Sequence, residues 1–235
     1  MNKKGKIVIG ISIGDINGIG IEVILKTFED KRMLDFCTPL LFGSSKVIAA
    51  HKKTLNIETH IPEIKSIQQI KEGQINLLTV WDEEVKLDIG NATKIGGQYA
   101  FKSLNEATKA LKKGEIDLLI TAPINKETIQ SEEFNFSGHT EFLEHNLEGE
   151  SLMILMNDFL RIGLITGHIP ISKIAESITP ELIESKVNIL NKSLKQDFNI
   201  NKPKIAVLGL NPHSGDNGVI GEEENNLIKP TIQSI

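Results

Sequence analysis

The sequence predicts an α/β protein with largely parallel sheets, on three observations. Short apolar runs rich in branched residues alternate along the chain with stretches whose apolar residues recur at helical spacing. The first such pair, Lys6 to Ile11 and Ile21 to Phe28, is joined by the glycine-rich turn Ser12-Ile-Gly-Asp-Ile-Asn-Gly-Ile-Gly20, which is how a βαβ unit opens. The lysine and histidines with the most distinctive neighbours follow the apolar runs or glycine turns, and open sheets of this class gather ligands at the carboxyl ends of their strands.

Lys6 to Ile11 reads as a buried strand of β-branched residues. The turn after it lacks both the G-x-G-x-x-G spacing and a P-loop lysine, so it does not argue for a nucleotide. Its glycines let backbone amides face an anion, and a plain tight turn explains them equally well. Pro39 to Phe42 is a short strand, and Ser44 caps a helix reaching about Lys53. Thr59 to Glu72 shows no clear period, and Ile75 to Val80 is a strand. From Lys94 to Lys113 apolar and small residues recur at helical spacing (Tyr99, Ala100, Leu104, Ala107, Ala110, Leu111), and Gly114 is a natural stop. Ile116 to Thr121 is a buried strand that runs into Ala122-Pro-Ile-Asn-Lys126.

Ser137 or Gly138 starts a helix that carries His139, Thr140, Glu141, Glu144 and His145. Leu152 to Met156 and Leu160 to Thr166 read as paired strands around the turn Asn157-Asp158, the second ending at Gly167-His168-Ile169-Pro170. Thr179-Pro180-Glu181 is an N-cap, a proline at the first helical position and an early acid, so a helix runs to about Lys195. Pro203 leads into a last buried strand, Lys204 to Leu210, which stops at Asn211-Pro212 and leaves His213 just past its end. Glu222 to Glu224 then open a helix, with acids where the helix dipole favours them.

Composition narrows the class. The chain has 235 residues, 40% hydrophobic and 24% charged, which fits a soluble globular protein with an ample core. A net charge of -5 gives no reason to expect nucleic acid or an anionic membrane as partner. Cys37 is the single cysteine, cannot form an internal disulfide, and fits a reducing cytoplasm. The apolar run after Met1-Asn-Lys-Lys holds a glycine and a serine and has no small-residue cleavage site, so it reads as a first strand and not a signal peptide. No apolar run approaches the length of a membrane span.

The candidate functional residues are scattered. Lys126 follows a strand and can hold phosphate or carboxylate as a point charge, although most such lysines are surface residues. His139 and Thr140 give two side-chain donors at a helix start, where anions bind. Glu141 and His145 are an i, i+4 pair of the kind found on solvated helix faces. His139, His168 and His213 are separated by 168 − 139 = 29 and 213 − 168 = 45 residues. That spacing excludes a local zinc finger and suits a site assembled from separate loops. Neutral imidazoles from different loops suit a divalent transition metal, yet each histidine alone is more often structural. His51, His60 and His145 read as surface residues.

Gly14-Asp15-Ile16-Asn17-Gly18-Ile19-Gly20, Thr121-Ala-Pro-Ile-Asn-Lys126, Ser137-Gly-His-Thr-Glu141, Gly167-His-Ile-Pro170 and Leu210-Asn-Pro-His-Ser-Gly215 occur in that order. Together they resemble the 4-hydroxythreonine-4-phosphate dehydrogenase family of pyridoxal phosphate biosynthesis. The match spans the chain, and its GHTE and NPH-S/A-G motifs are specific. The resemblance implies a fold like isocitrate and isopropylmalate dehydrogenases, with two α/β domains, placed at residues 1–125 and 126–235, and an active-site cleft between them. It implies a cytoplasmic homodimer, NAD as oxidant and a divalent metal such as zinc, magnesium or cobalt. By their motifs His168 and His213 match metal ligands, His139 and Thr140 a substrate-binding pair, and Lys126 and Asp15 polar cleft positions taken as catalytic. No NAD-contacting residue is assigned.

The implied reaction oxidises the C3 hydroxyl of 4-phosphooxy-L-threonine and then decarboxylates the product. The alternatives are a sister dehydrogenase for a threonate or erythronate phosphate, an inactive remnant that binds metal or phosphate weakly, and, from the histidines alone, a metal-dependent hydrolase. The family's chains are longer than this one, and their third metal histidine and principal NAD contacts fall beyond Ile235. The expectation is therefore of a C-terminally truncated chain with little dehydrogenase activity by itself.

Overall fold

A computed structural model describes residues 5–235, so the basic Met1-Asn-Lys-Lys start lies outside the described residues. The chain divides into two units, one ending at Glu148 and one running from Gly149 to Ile235.

The elements of the first unit are β1 (Ile7–Ser12), α1 (Gly20–Thr27), α2 (Met33–Phe36), β2 (Cys37–Gly43), α3 (Ser45–Leu55), β3 (Glu63–Ile64), β4 (Asn76–Thr79), α4 (Lys94–Lys112), β5 (Leu118–Thr121) and α5 (His139–Asn146). The strands form one sheet in the order β3-β4-β2-β1-β5, and every pairing is parallel. The alternation read in the sequence is thus the alternation of a parallel sheet with its crossover helices. β2 lies in the middle, and all seven of its residues are buried because both faces are covered. Leu41 faces one layer with Ile11, Ile21, Leu25, Val47 and Ile48. Leu40 and Phe42 face the other with Ala107, Ala110 and Ile116.

Thr93 caps α4 by accepting the Gly96 N–H at 3.0 Å. Ser44 stands at the N-cap of α3, but its hydroxyl makes no capping bond, against expectation. A third cluster joins α4 to the segment beyond β5 through Ala100, Leu104, Ile129, Phe134 and Phe142. That packing carries the first unit past residue 125, where the sequence placed a domain boundary. His51 corrects another expectation. It is 2% exposed, not a surface residue, and its Nε2 lies 2.7 Å from the Ile16 carbonyl oxygen beneath the β1–α1 turn.

The second unit contains β6 (Ile154–Met156), β7 (Arg161–Gly163), α6 (Ile174–Ser177), α7 (Pro180–Gln196) and α8 (Lys229–Ser234). β6 and β7 pair antiparallel, Ile154 opposite Gly163, and Asn157 Oδ1 closes their turn by accepting the N–H groups of Phe159 and Leu160. Thr179 caps α7 through the Leu182 N–H at 3.2 Å. The expected last strand is the clearest correction. Lys204 to Leu210 joins no ladder among the described residues. Ile205 and Val207 are half-buried while Leu208 is 82% exposed, and among the described residues no strand pairs with the run to satisfy its backbone. The helix expected from Glu222 begins with a π-helical turn, Glu224–Ile228, that continues into α8. Among the described residues no helix is long and apolar enough to cross a membrane.

Candidate active site

β1 and β5 are neighbours, so their carboxyl ends deliver the Gly14–Gly20 turn and the Ala122–Lys126 segment side by side. The two interlock. Ala122 donates its N–H to Ser12 O and Asp15 donates its N–H to Pro123 O, both at 3.0 Å. Gly14 has φ +69, and a Cβ there would stand 2.3 Å from Pro123 O, so only glycine fits. Asp15 is 6% exposed, and its Oδ1 accepts the Asn17 N–H at 2.9 Å. The carboxylate lies against the first turn of α4, since a Cβ built on Gly96 would come within 2.5 Å of Oδ1. A negative charge is favoured beside that helix start.

Asn17, which sequence reasoning passed over, is the hub of this corner. Its Nδ2 donates to Thr93 Oγ1 at 2.9 Å, its Oδ1 accepts the Asp88 N–H at 2.8 Å, and its carbonyl accepts the Gly90 N–H at 2.8 Å. A polar residue between Ile16 and Gly18 was the available signal. The first turn of α4 is equally closed on its other side, where a Cβ on Gly97 would stand 1.9 Å from Thr128 O. Two adjacent glycines in a helix are costly unless something must approach closely, and here the strand-end segment does.

Lys126, His139 and Thr140 come together at the start of α5. Gly138 at its N-cap is extended, with φ 173. A Cβ built on it would lie 4.0 Å from Lys126 Nζ and 3.7 Å from Glu141 Oε2. Lys126 is exposed, while His139 and Thr140 are half-buried. Burial, and then the Lys126 charge, hold the His139 imidazole below the usual histidine range. Its Nε2 is buried and has no hydrogen-bond partner. Phe134, Phe136 and Phe142 pack beneath the helix with ring centroids 5.3–5.6 Å apart. The result is a cation, a neutral imidazole with an unused nitrogen and a hydroxyl residue at a helix N-terminus, a set suited to an oxyanion.

His168 and His213 lie in the second unit, and both are exposed. The segments leading to them, Leu164–Thr166 and Val207–Leu210, line one apolar cavity of about 220 Å³. Asn211 organises the His213 turn: its Oδ1 accepts the N–H of His213 at 2.9 Å and of Gly215 at 3.3 Å. Five consecutive residues from Ser214 to Gly218 then have positive φ, from 46 to 98. For Ser214, Asp216 and Asn217 this left-handed backbone costs roughly 1–2 kcal/mol each. Among the described residues no group of three or more His, Cys, Asp or Glu side chains could hold a metal ion. His168 and His213 supply two imidazole donors, one short of the three protein ligands of a typical catalytic zinc site, so these donors alone do not fit one.

Comparison with known proteins supplies the lineage. The family model of the pyridoxal phosphate biosynthetic protein PdxA matches residues 35–235. A 4-hydroxythreonine-4-phosphate dehydrogenase of Bacteroides thetaiotaomicron is 46% identical over 235 residues, 99% of this chain and 65% of that protein. A Clostridium botulinum protein assigned provisionally as D-threonate 4-phosphate dehydrogenase is 32% identical over 97% of this chain and 69% of its own. The crystal structure of a 4-hydroxythreonine-4-phosphate dehydrogenase from Burkholderia phymatum matches with a TM-score of 0.83 at 30% identity, covering 98% of this chain and 71% of that one. The chain thus spans about two thirds of the length of these relatives. On the family match over residues 35–235 it belongs to the PdxA family of pyridoxal phosphate biosynthetic proteins.

Proposed function

We propose that the protein serves the NAD-dependent oxidation of 4-phosphooxy-L-threonine at its C3 hydroxyl, followed by decarboxylation, as a cytoplasmic homodimer. The observation that carries this reading is the orphaned Nε2 of His139, buried beside the Lys126 ammonium at the start of α5. A buried polar atom without a partner is costly, and a phosphate or hydroxyl oxygen would satisfy it.

In this reading Lys126 sets its charge against an anionic group of the substrate. His139, held neutral, offers Nε2 as donor or acceptor according to tautomer, and Thr140 adds a hydroxyl. Asp15, buried and bonded within its own turn, braces the corner from which Lys126 projects. NAD, when bound, would supply the hydride acceptor for C3; the part left to this chain's own residues would be to take up the hydroxyl proton, after which the β-keto acid would lose carbon dioxide. Lys126 or His139 is placed to move a proton in these steps. NAD and a divalent metal belong to the reading through the motifs, with His168 and His213 as two metal ligands that need at least one more.

The second reading, oxidation of a threonate phosphate, is favoured by the similarity to the Clostridium botulinum protein. Single-turnover formation of NADH, with protein in excess and divalent metal added, separates the two even where turnover is slow. Faster NADH formation with 4-phosphooxy-L-threonine than with D-threonate 4-phosphate is expected. The reverse order would favour the second reading and overturn the first.

A further inference from the structure

The turn that carries His213 is fastened from beneath by one acid. Glu224 is 3% exposed, whereas its neighbour Glu222 is exposed and accepts a bond from the Asn226 side chain. Glu224 Oε1 accepts the Leu210 N–H at 2.8 Å, pinning the last residue before Asn211-Pro212-His213. Glu224 Oε2 is buried without a hydrogen-bond partner. It lies under the other end of the turn: a Cβ built on Gly215 would stand 2.9 Å from Oε2 and 2.4 Å from Gly221 O. The carboxylate therefore occupies the space beneath both residues that flank the Asn-Pro-His-Ser run. Between them Asn211 Oδ1 ties the His213 and Gly215 amides. The left-handed residues that follow are unfavourable by themselves and would relax without a brace.

We propose that Glu224 is the positioning residue of His213, holding the turn through the Leu210 N–H and by filling the space under Gly215 so that the imidazole keeps one orientation. This rests on the reading that His213 acts at the site. Glutamine at this position would keep the Oε1 acceptor and could donate from its amide nitrogen to Gly221 O. Alanine would leave the Leu210 N–H without its acceptor and the space empty.

The test is nuclear magnetic resonance on residues 1–235 with isotope-labelled histidine, His213 being assigned by the signals lost in H213N. The wild type and E224Q are expected to show one set of His213 ring signals. E224A is expected to show several sets or one broadened set, with His168 unchanged as the internal control of folding. Amide exchange at Leu210 should be about 10- to 100-fold faster in E224A, the loss expected for a hydrogen bond to a charged acceptor, and near wild-type in E224Q. Unchanged His213 signals and Leu210 exchange in E224A would overturn the proposal. So would a folded E224Q whose His213 signals move as far as those of E224A. If E224A does not fold, E224Q decides alone: retained signals support the brace and displaced signals overturn it. None of these readouts uses turnover, so full activity of H213N would sink the role of His213 and leave the brace measurable.

Discussion

The Lys126 ammonium stands beside His139 and, after burial, is the second cause that keeps its imidazole neutral. Removing the charge by Lys126→Met should raise the His139 pKa toward, but not to, the ordinary value of about 6.5, because burial remains. A histidine titration by magnetic resonance reads this directly. An unchanged His139 pKa would show that the two groups do not feel each other.

The same group sets a pH dependence. The fold lowers the His139 pKa, so in the window beneath about 6.5 the unfolded chain binds more protons than the folded one. The stability His139 contributes is complete above about pH 6.5 and declines as pH falls from there through its folded pKa. Urea denaturation across that range should show a shallower decline in Lys126→Met than in the wild type, and parallel curves would contradict the assignment.

His51 should matter for stability and not for substrate. His51→Ala leaves the buried Ile16 carbonyl without its 2.7 Å partner and opens a cavity beneath the β1–α1 turn. A loss of at least about 1–3 kcal/mol is expected in urea denaturation. A loss below about 0.5 kcal/mol, the size of an ordinary surface change, would mean that the turn does not lean on this residue.

Gly97→Ala tests the close approach of α4 to the strand-end segment. The added methyl would stand 1.9 Å from Thr128 O, a backbone atom that cannot move without shifting the segment that carries Lys126. Despite the better helix propensity of alanine, a net destabilisation of about 1–3 kcal/mol is expected. A more stable variant would show that the segment yields freely.

The first unit was legible in the sequence because its elements carry their own local evidence. The branched runs of β1, β2 and β5, and the small-residue stripe of α4, are each explained by neighbours inside the same unit. The start of α5 was legible too, from Gly138 before His139. His51 was misread because helix α3 is short, and one polar residue on its buried face looks no different in sequence from a solvated one. Lys204 to Leu210 was misread because an apolar run records a tendency to pair, whereas a strand also needs a partner to pair with. Asn17 and Glu224 could not be ranked above other polar residues, because what sets them apart is hydrogen bonding to backbone far away in sequence.

Calorimetric binding of 4-phosphooxy-L-threonine to residues 1–235 decides whether Lys126 and His139 form the subsite for the phosphorylated substrate. Measurable binding is expected, weakened about 10- to 100-fold in Lys126→Met and in His139→Ala, the range for losing a hydrogen bond to a charged group. Equal affinity in the wild type and both variants would contradict this assignment.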